Sequence, residues 1–274
     1  MPPPVRLQAL EAAFEATGQF VVWHEPDTDT LVLEVNKRNQ VPEKMQLLMQ
    51  QYALLPRDTT LNKLLSDTEY SSTLSYLQAL GVDPATANYT KPAMLLLQAG
   101  LLEYLSIGYL PTFGIENVFE SQLGNRKLIG LETIEQQLQA ATALPLELQA
   151  ELLTETIREA DTVAEQISGL VHAWLSGDAT YLSQQFDNSP TSEAANRWLD
   201  DLLIKRNVGM AAGIEAMLRG TDERLTRESP KVIFALVGAA HLVGDNSVID
   251  LLRQRGFTTL RMRHDSLSPV ASLD

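Results

Sequence analysis

The sequence contains no cysteine. That excludes disulfides, thiolate metal ligands and cysteine nucleophiles, and it leaves the compartment open. Basic residues are scarce: 21 Lys and Arg stand against 35 Asp and Glu, a net charge of -14. Such an excess repels phosphate, so nucleic acid and anionic membrane surfaces are poor partners. Long apolar runs are missing too, and none approaches the ~20 residues of a membrane-spanning helix. The opening Met1-Pro2-Pro3-Pro4-Val5-Arg6 has no apolar signal core. As written, the chain is expected to stay in the cytoplasm; an export signal ahead of it would place it in the cell envelope or outside the cell. Internal repeats and low-complexity segments are also lacking.

What is present suffices for a folded chain. Hydrophobic residues make up 45% and charged residues 20% of 274 positions, enough apolar material for a core. Leu7, Leu10 and Phe14 recur at helical spacing, which predicts a helix over residues 7–16. Residues 20–23 read as a short strand, and Pro26 to Asp29 as a turn. A strand is predicted at 31–35. Helices follow from 42 to 110, broken at Pro56, at Gly81 to Pro84 and at Pro92. Gly114 opens another helix. The strand at 127–132 runs into Thr133-Ile134-Glu135-Gln136, a capping box that starts a helix. Helices then dominate to about 219. The continuous apolar run 231–237 predicts a strand buried on both faces. A glycine turn, a helix at 247–255 stopped by Gly256, and a strand at 257–261 would close a βαβ unit. The fold class is therefore α/β and helix-rich, a small, mainly parallel sheet with a helical insertion over about 42–219. One domain over 1–263 with a loose tail at 264–274 is the organisation this implies.

Three polar residues fall at or near strand ends: Glu34, Glu132 and, after a tight turn, His241. Open α/β sheets bind ligands outside the carboxyl ends of their strands. Two carboxylates and an imidazole gathered there would suit zinc, manganese or cobalt. Each residue also has a plain structural reading: a solvated carboxylate on an edge strand for Glu34, a charge favoured by a helix N-terminus for Glu132, and a satisfied histidine at a helix start for His241. Gly238 and Gly244 bracket His241, which suggests a turn with unusual backbone angles. Arg206 lies on the apolar stripe of Leu199, Leu203, Met210 and Ile214. A charge on a core-facing stripe calls for a carboxylate or an anion beside it, unless the side chain snorkels to water.

The order of these segments resembles the TraB/GumN family. The stretch 234–244 with Leu251 to Gly256 looks like that family's second Gly-x-x-His segment. Gly114-Ile115-Glu116 and the run from Gly130 to Leu138 are similar to its middle motifs. The strand around Glu34 resembles its acidic strand, and Lys205 to Met210 its Arg-Asn helix. The resemblance implies a fold like that of erythromycin esterases and metal-assisted hydrolysis, proteolytic in the Tiki branch. It implies functional roles for Glu34, Glu116 and Arg206, metal ligation by His241 and Glu132, and a peptide or small-molecule substrate; no organic cofactor is implied. The family pattern begins with a strand ending in Gly-x-x-His, which this sequence does not show before its proline-rich start. His24 does not match that motif, and residues 18–29 look inserted. Three expectations follow: an active metal hydrolase, a binding or scaffold protein that keeps the fold without a complete site, or an active parent whose start lies upstream. The chain as written is expected to hold metal weakly or not at all. Substrate, metal identity and oligomeric state stay open.

Overall fold

The structure, a computed structural model, describes residues 28–187, 192–225 and 232–261. The expected helix at 7–16, the strand at 20–23, His24 and the tail at 264–274 lie outside the described residues.

Strand β1 (Thr28–Val35) leads into helix α1 (Pro42–Tyr52). Helices α2 (Asp67–Ala79), α3 (Pro92–Ser106) and α4 (Ile115–Ser121) follow, with short helical turns between them. Next come β2 (Lys127–Glu132), α5 (Ile134–Ala141) and α6 (Leu146–Arg158). Helix α7 (Glu193–Leu199) runs through a π-type turn, Asp200–Ile204, into α8 (Lys205–Leu218). Two further helices, Val163–Ser176 and Ala179–Asp187, lie between α6 and α7, and strand β3 (Val232–Leu236) and α9 (Val248–Gln254) follow α8.

The three strands are parallel in the order β2-β1-β3. Parallel neighbours require crossovers, and here helices supply them. Alternation along the strands sends successive side chains to opposite faces. Leu31, Leu33, Phe234 and Leu236 meet Phe119 and Leu123 on the α4 side, with the Phe119 and Phe234 rings 4.7 Å apart. Val32 and Ile129 meet Met217, while Ile233 and Leu131 pack with Met210, Ile214 and Val248 from α8 and α9. The helices α2, α3 and α6 build a second core away from the sheet, around Leu77, Leu95 and Leu153. Buried Gln149 ties that core to the sheet side by accepting from Ala93 N–H and donating to the Thr142 and Leu144 carbonyls. No helix among the described residues is long and apolar enough to cross a membrane.

Two strand expectations need correction. The run 231–237 was expected to be buried on both faces; Phe234 and Leu236 are buried on one face and Ile233 and Val237 are half-buried on the other, but Ala235 is exposed, and β3 has one neighbour among the described residues. The doubly covered strand is β1, the middle of the three, with Leu31, Val32 and Leu33 almost fully buried. The expected strand at 257–261 is irregular. Gly256 turns at φ +89, and Phe257 N–H closes back on Leu252. The segment then takes its partners from helices: Arg219 covers the Phe257 ring, Arg253 donates to Thr259, and Arg261 donates to the Gly177 carbonyl. Leu260 is 67% exposed, so no alternating face is buried there.

Candidate functional site

The sheet register brings the sequence-flagged residues to one edge. Val35 pairs with Glu132, and Leu33 pairs with Leu236. Glu34, Glu132 and the turn after β3 therefore sit together at the carboxyl ends of the strands. Glu34 shares a face with Val32 and so points toward α8. Glu132 is the last residue of β2, where Thr133 caps α5 through a reciprocal capping box with Gln136. The cap fixes the start of α5 and with it Gln137.

Arg206 lies in the first turn of α8. Its Nη2 donates to Glu34 Oε2 at 2.8 Å and to Glu132 Oε1 at 2.5 Å. Its Nε reaches both Glu132 oxygens, and its Nη1 donates to the Leu202 carbonyl inside the π-type turn. Gln137 Nε2 donates to Glu132 at 2.9 Å and to Glu34 at 3.3 Å. The Arg206 side chain is 14% exposed and that of Glu132 only 8%. Burial alone would pull the Arg206 guanidinium down; hydrogen bonding and charge from Glu132, then from Glu34, outweigh it and hold the group above its ordinary value. The cation is thus locked between two carboxylates.

His241 occupies a short 3-10 turn, Ala239–His241, and is 4% exposed. Its Nδ1 lies 2.6 Å from Asn207 Oδ1, and its Nε2 lies 3.8 Å from Glu34 Oε1. Burial pushes the imidazole below its ordinary value, the Glu34 carboxylate opposes this, and the Arg206 charge adds to it. The ring is therefore neutral near pH 7. Glu34 Oε1 also accepts from Gly238 N–H at 2.6 Å.

Of the residues singled out in the sequence, Glu34, Glu132, Arg206 and His241 converge. Glu116 sits in the first turn of α4, and its side chain forms no hydrogen bond or ion pair with them or with the other described residues. The bracketing glycines divide. Gly244 has φ +76, as expected of a turn. Gly238 has an ordinary φ of -56; a Cβ there would lie 3.2 Å from Glu34 Oε1, so the carboxylate would have to give way slightly. Sequence reasoning missed Gln137 and the buried Asn207. Asn207 was findable, because it falls i+4 from Leu203 and i−3 from Met210, the same stripe that marked Arg206.

A cavity of about 420 Å³ adjoins the cluster between the end of β1, α1, β2 and α5. Glu132 lies on its wall with Val35, Leu48 and Ile134, and Lys44 adds a positive charge. Among the described residues no group of three or more His, Asp or Glu side chains is arranged to hold a metal ion. His241 Nε2 and Glu34 Oε1 make a pair of donors; the Glu132 carboxylate is taken by Arg206 and Gln137.

Comparison with known proteins gives a consistent grouping. The profile of the TraB/PrgY/gumN family matches residues 24–261. The chain is also 30% identical over 148 residues to an uncharacterized protein of Treponema pallidum (strain Nichols). That stretch covers 52% of this chain and 43% of the relative, so the chain spans less than half the relative's length. No solved structure matches.

Proposed function

The chain belongs to the TraB/PrgY/gumN family, and from that premise we propose that the cluster at the strand ends is a hydrolytic centre in which His241 and Glu34 would hold a divalent metal. The observation that carries this reading is the 3.8 Å approach of His241 Nε2 to Glu34 Oε1 at the sheet's carboxyl edge. An imidazole nitrogen with a carboxylate oxygen suits zinc, manganese or cobalt. When bound, such a metal supplies a polarised carbonyl or an activated water. The chain's own residues do the rest. Arg206 keeps both carboxylates aimed, and Gly238 N–H fixes the Glu34 oxygen that faces the histidine. The cavity beside Glu132 is the space for a peptide or small-molecule substrate. With only two donors from the described residues, the metal would be held weakly.

A second reading is favoured by the saturation of the carboxylates. Glu132 is fully engaged by Arg206 and Gln137, as a structural brace would be. On this reading the protein binds or scaffolds without catalysis. Titration with zinc, manganese and cobalt separates the two. Weak saturable binding that disappears in both His241→Ala and Glu34→Gln supports the hydrolytic centre, as does metal-dependent cleavage of peptide or ester substrates. Binding that is absent, or indifferent to His241→Ala, leaves the brace. Micromolar binding lost on His241→Ala would overturn the expectation of weakness and show that the site is complete.

A further inference from the structure

We infer that Asn207 is a positioning residue that sets the tautomer of His241, holding the ring proton on Nδ1 and turning the Nε2 lone pair toward Glu34. The argument starts from an amide that has no freedom to flip. Asn207 is 1% exposed. Its Nδ2 donates to the Asn246 carbonyl at 2.9 Å. A carbonyl only accepts, so that end of the side chain must be the NH2 group. The other end is therefore Oδ1, which also only accepts. It lies 2.6 Å from His241 Nδ1, so Nδ1 must carry the hydrogen. A neutral imidazole has one such hydrogen, and Nε2 is left with its lone pair.

The opposite tautomer would set two lone pairs against each other at 2.6 Å. Flipping the amide instead would set Asn207 Oδ1 against the Asn246 carbonyl. Either change leaves buried groups without their hydrogen bonds, which holds one tautomer over the other by roughly tenfold or more.

The far end of the relay is fixed as well. Asn246 has φ +56 and is the one non-glycine residue in the left-handed region among the described residues. Asparagine tolerates this conformation better than most side chains. The Asn246 N–H donates to Asp250 Oδ2, which anchors the turn to the first turn of α9. At the near end, Gly238 N–H holds the Glu34 oxygen that Nε2 faces. A histidine that binds metal through one nitrogen commonly has the other hydrogen-bonded to a fixed acceptor. Asn207 supplies that acceptor here before any metal is present. The value of this tautomer as a ligand rests on the proposed metal-holding role of His241 and Glu34; the tautomer itself does not.

The test is long-range 1H–15N correlation on the labelled full chain, metal-free, at about pH 8, above the ordinary imidazole range. The His241 signals are assigned by their loss in His241→Ala. The expected result is a protonated Nδ1 and a pyridine-like Nε2. Asn207→Asp gives up the donor to the Asn246 carbonyl but still accepts from Nδ1 and should keep Nδ1 protonated, whereas Asn207→Leu should shift the ring toward a protonated Nε2 or a mixture. A protonated Nε2 in the unsubstituted protein would overturn the inference without reference to any variant's folding. An Asn207→Leu protein that is folded by circular dichroism yet keeps the pattern would overturn it too. Zinc titration is read separately: zinc should bind Asn207→Leu roughly 10–100-fold more weakly than the unsubstituted protein. Failure of zinc to bind the unsubstituted protein removes the hydrolytic reading and leaves the tautomer assignment standing.

Discussion

Arg206 stands between two carboxylates that would otherwise face each other in a poorly hydrated crevice. The Glu132 side chain is 8% exposed and that of Glu34 23%. Removing the guanidinium by Arg206→Ala strands both, and a broken buried ion pair costs about 3–5 kcal/mol. Urea unfolding should show a loss of that order. Arg206→Lys keeps the charge but cannot form the fork that reaches two carboxylates at once, so its loss should fall between Ala and the parent. A loss under about 1 kcal/mol for Arg206→Ala would mean that the network behaves like a surface ion pair. This residue was legible in the sequence because a cation on an apolar stripe has few places to go. Glu34, Glu132 and His241 were legible by their positions at strand ends. Gln137 was not: a glutamine in the first turns of a helix looks like any solvated residue until two carboxylates from other strands arrive beside it.

Among the elements, β2 shows how closely the sheet edge is built. A Cβ on Gly130 would lie 2.7 Å from the Asn36 backbone nitrogen, and Arg224 Nη1 donates to the Gly130 carbonyl on the same strand. Asn36 Nδ2 also donates to the Leu128 carbonyl. Gly130→Ala must therefore push β1's exit away from β2, and overpacking of this kind costs about 1–3 kcal/mol. Gly100→Ala offers the contrast. It lies within α3 with nothing within 4 Å of the added Cβ, so the better helix propensity should raise stability by about 0.5–1 kcal/mol. Thermal unfolding of the two variants should move the midpoint in opposite directions. Both β1 and β2 could be read from apolar runs bounded by turn residues, and α5 from its capping box. The π-type turn at Asp200–Ile204 could not, because no residue preference marks one extra residue in a helical turn. The run at 257–261 has strand-like composition, yet what decides a strand is a neighbour to pair with, and composition carries no record of the neighbour.

For the whole molecule, an acidic, helix-rich α/β chain was legible from charge balance and periodicity, whereas the strand order and the separation of two cores were not. Strand order depends on which crossover packs on which face, and that is a tertiary choice. The two cores differ in reach. The helical core joins residues between Leu61 and Leu153, while the sheet faces join Leu31 to Phe234. Contacts between distant parts of a chain form later than local ones. Pulse-labelled hydrogen exchange during refolding should therefore protect α2, α3 and α6 before β1. Simultaneous protection, or β1 first, would contradict this. The same separation has a meaning during synthesis on the ribosome. Gly238, whose N–H completes the Glu34 contact, follows Glu34 by 204 residues. At about 5–20 residues per second, it is translated roughly 10–40 s later. Through that interval Leu31, Val32 and Leu33 belong to a nascent strand whose second neighbour has not been made, which makes this segment a natural stopping place for a chaperone.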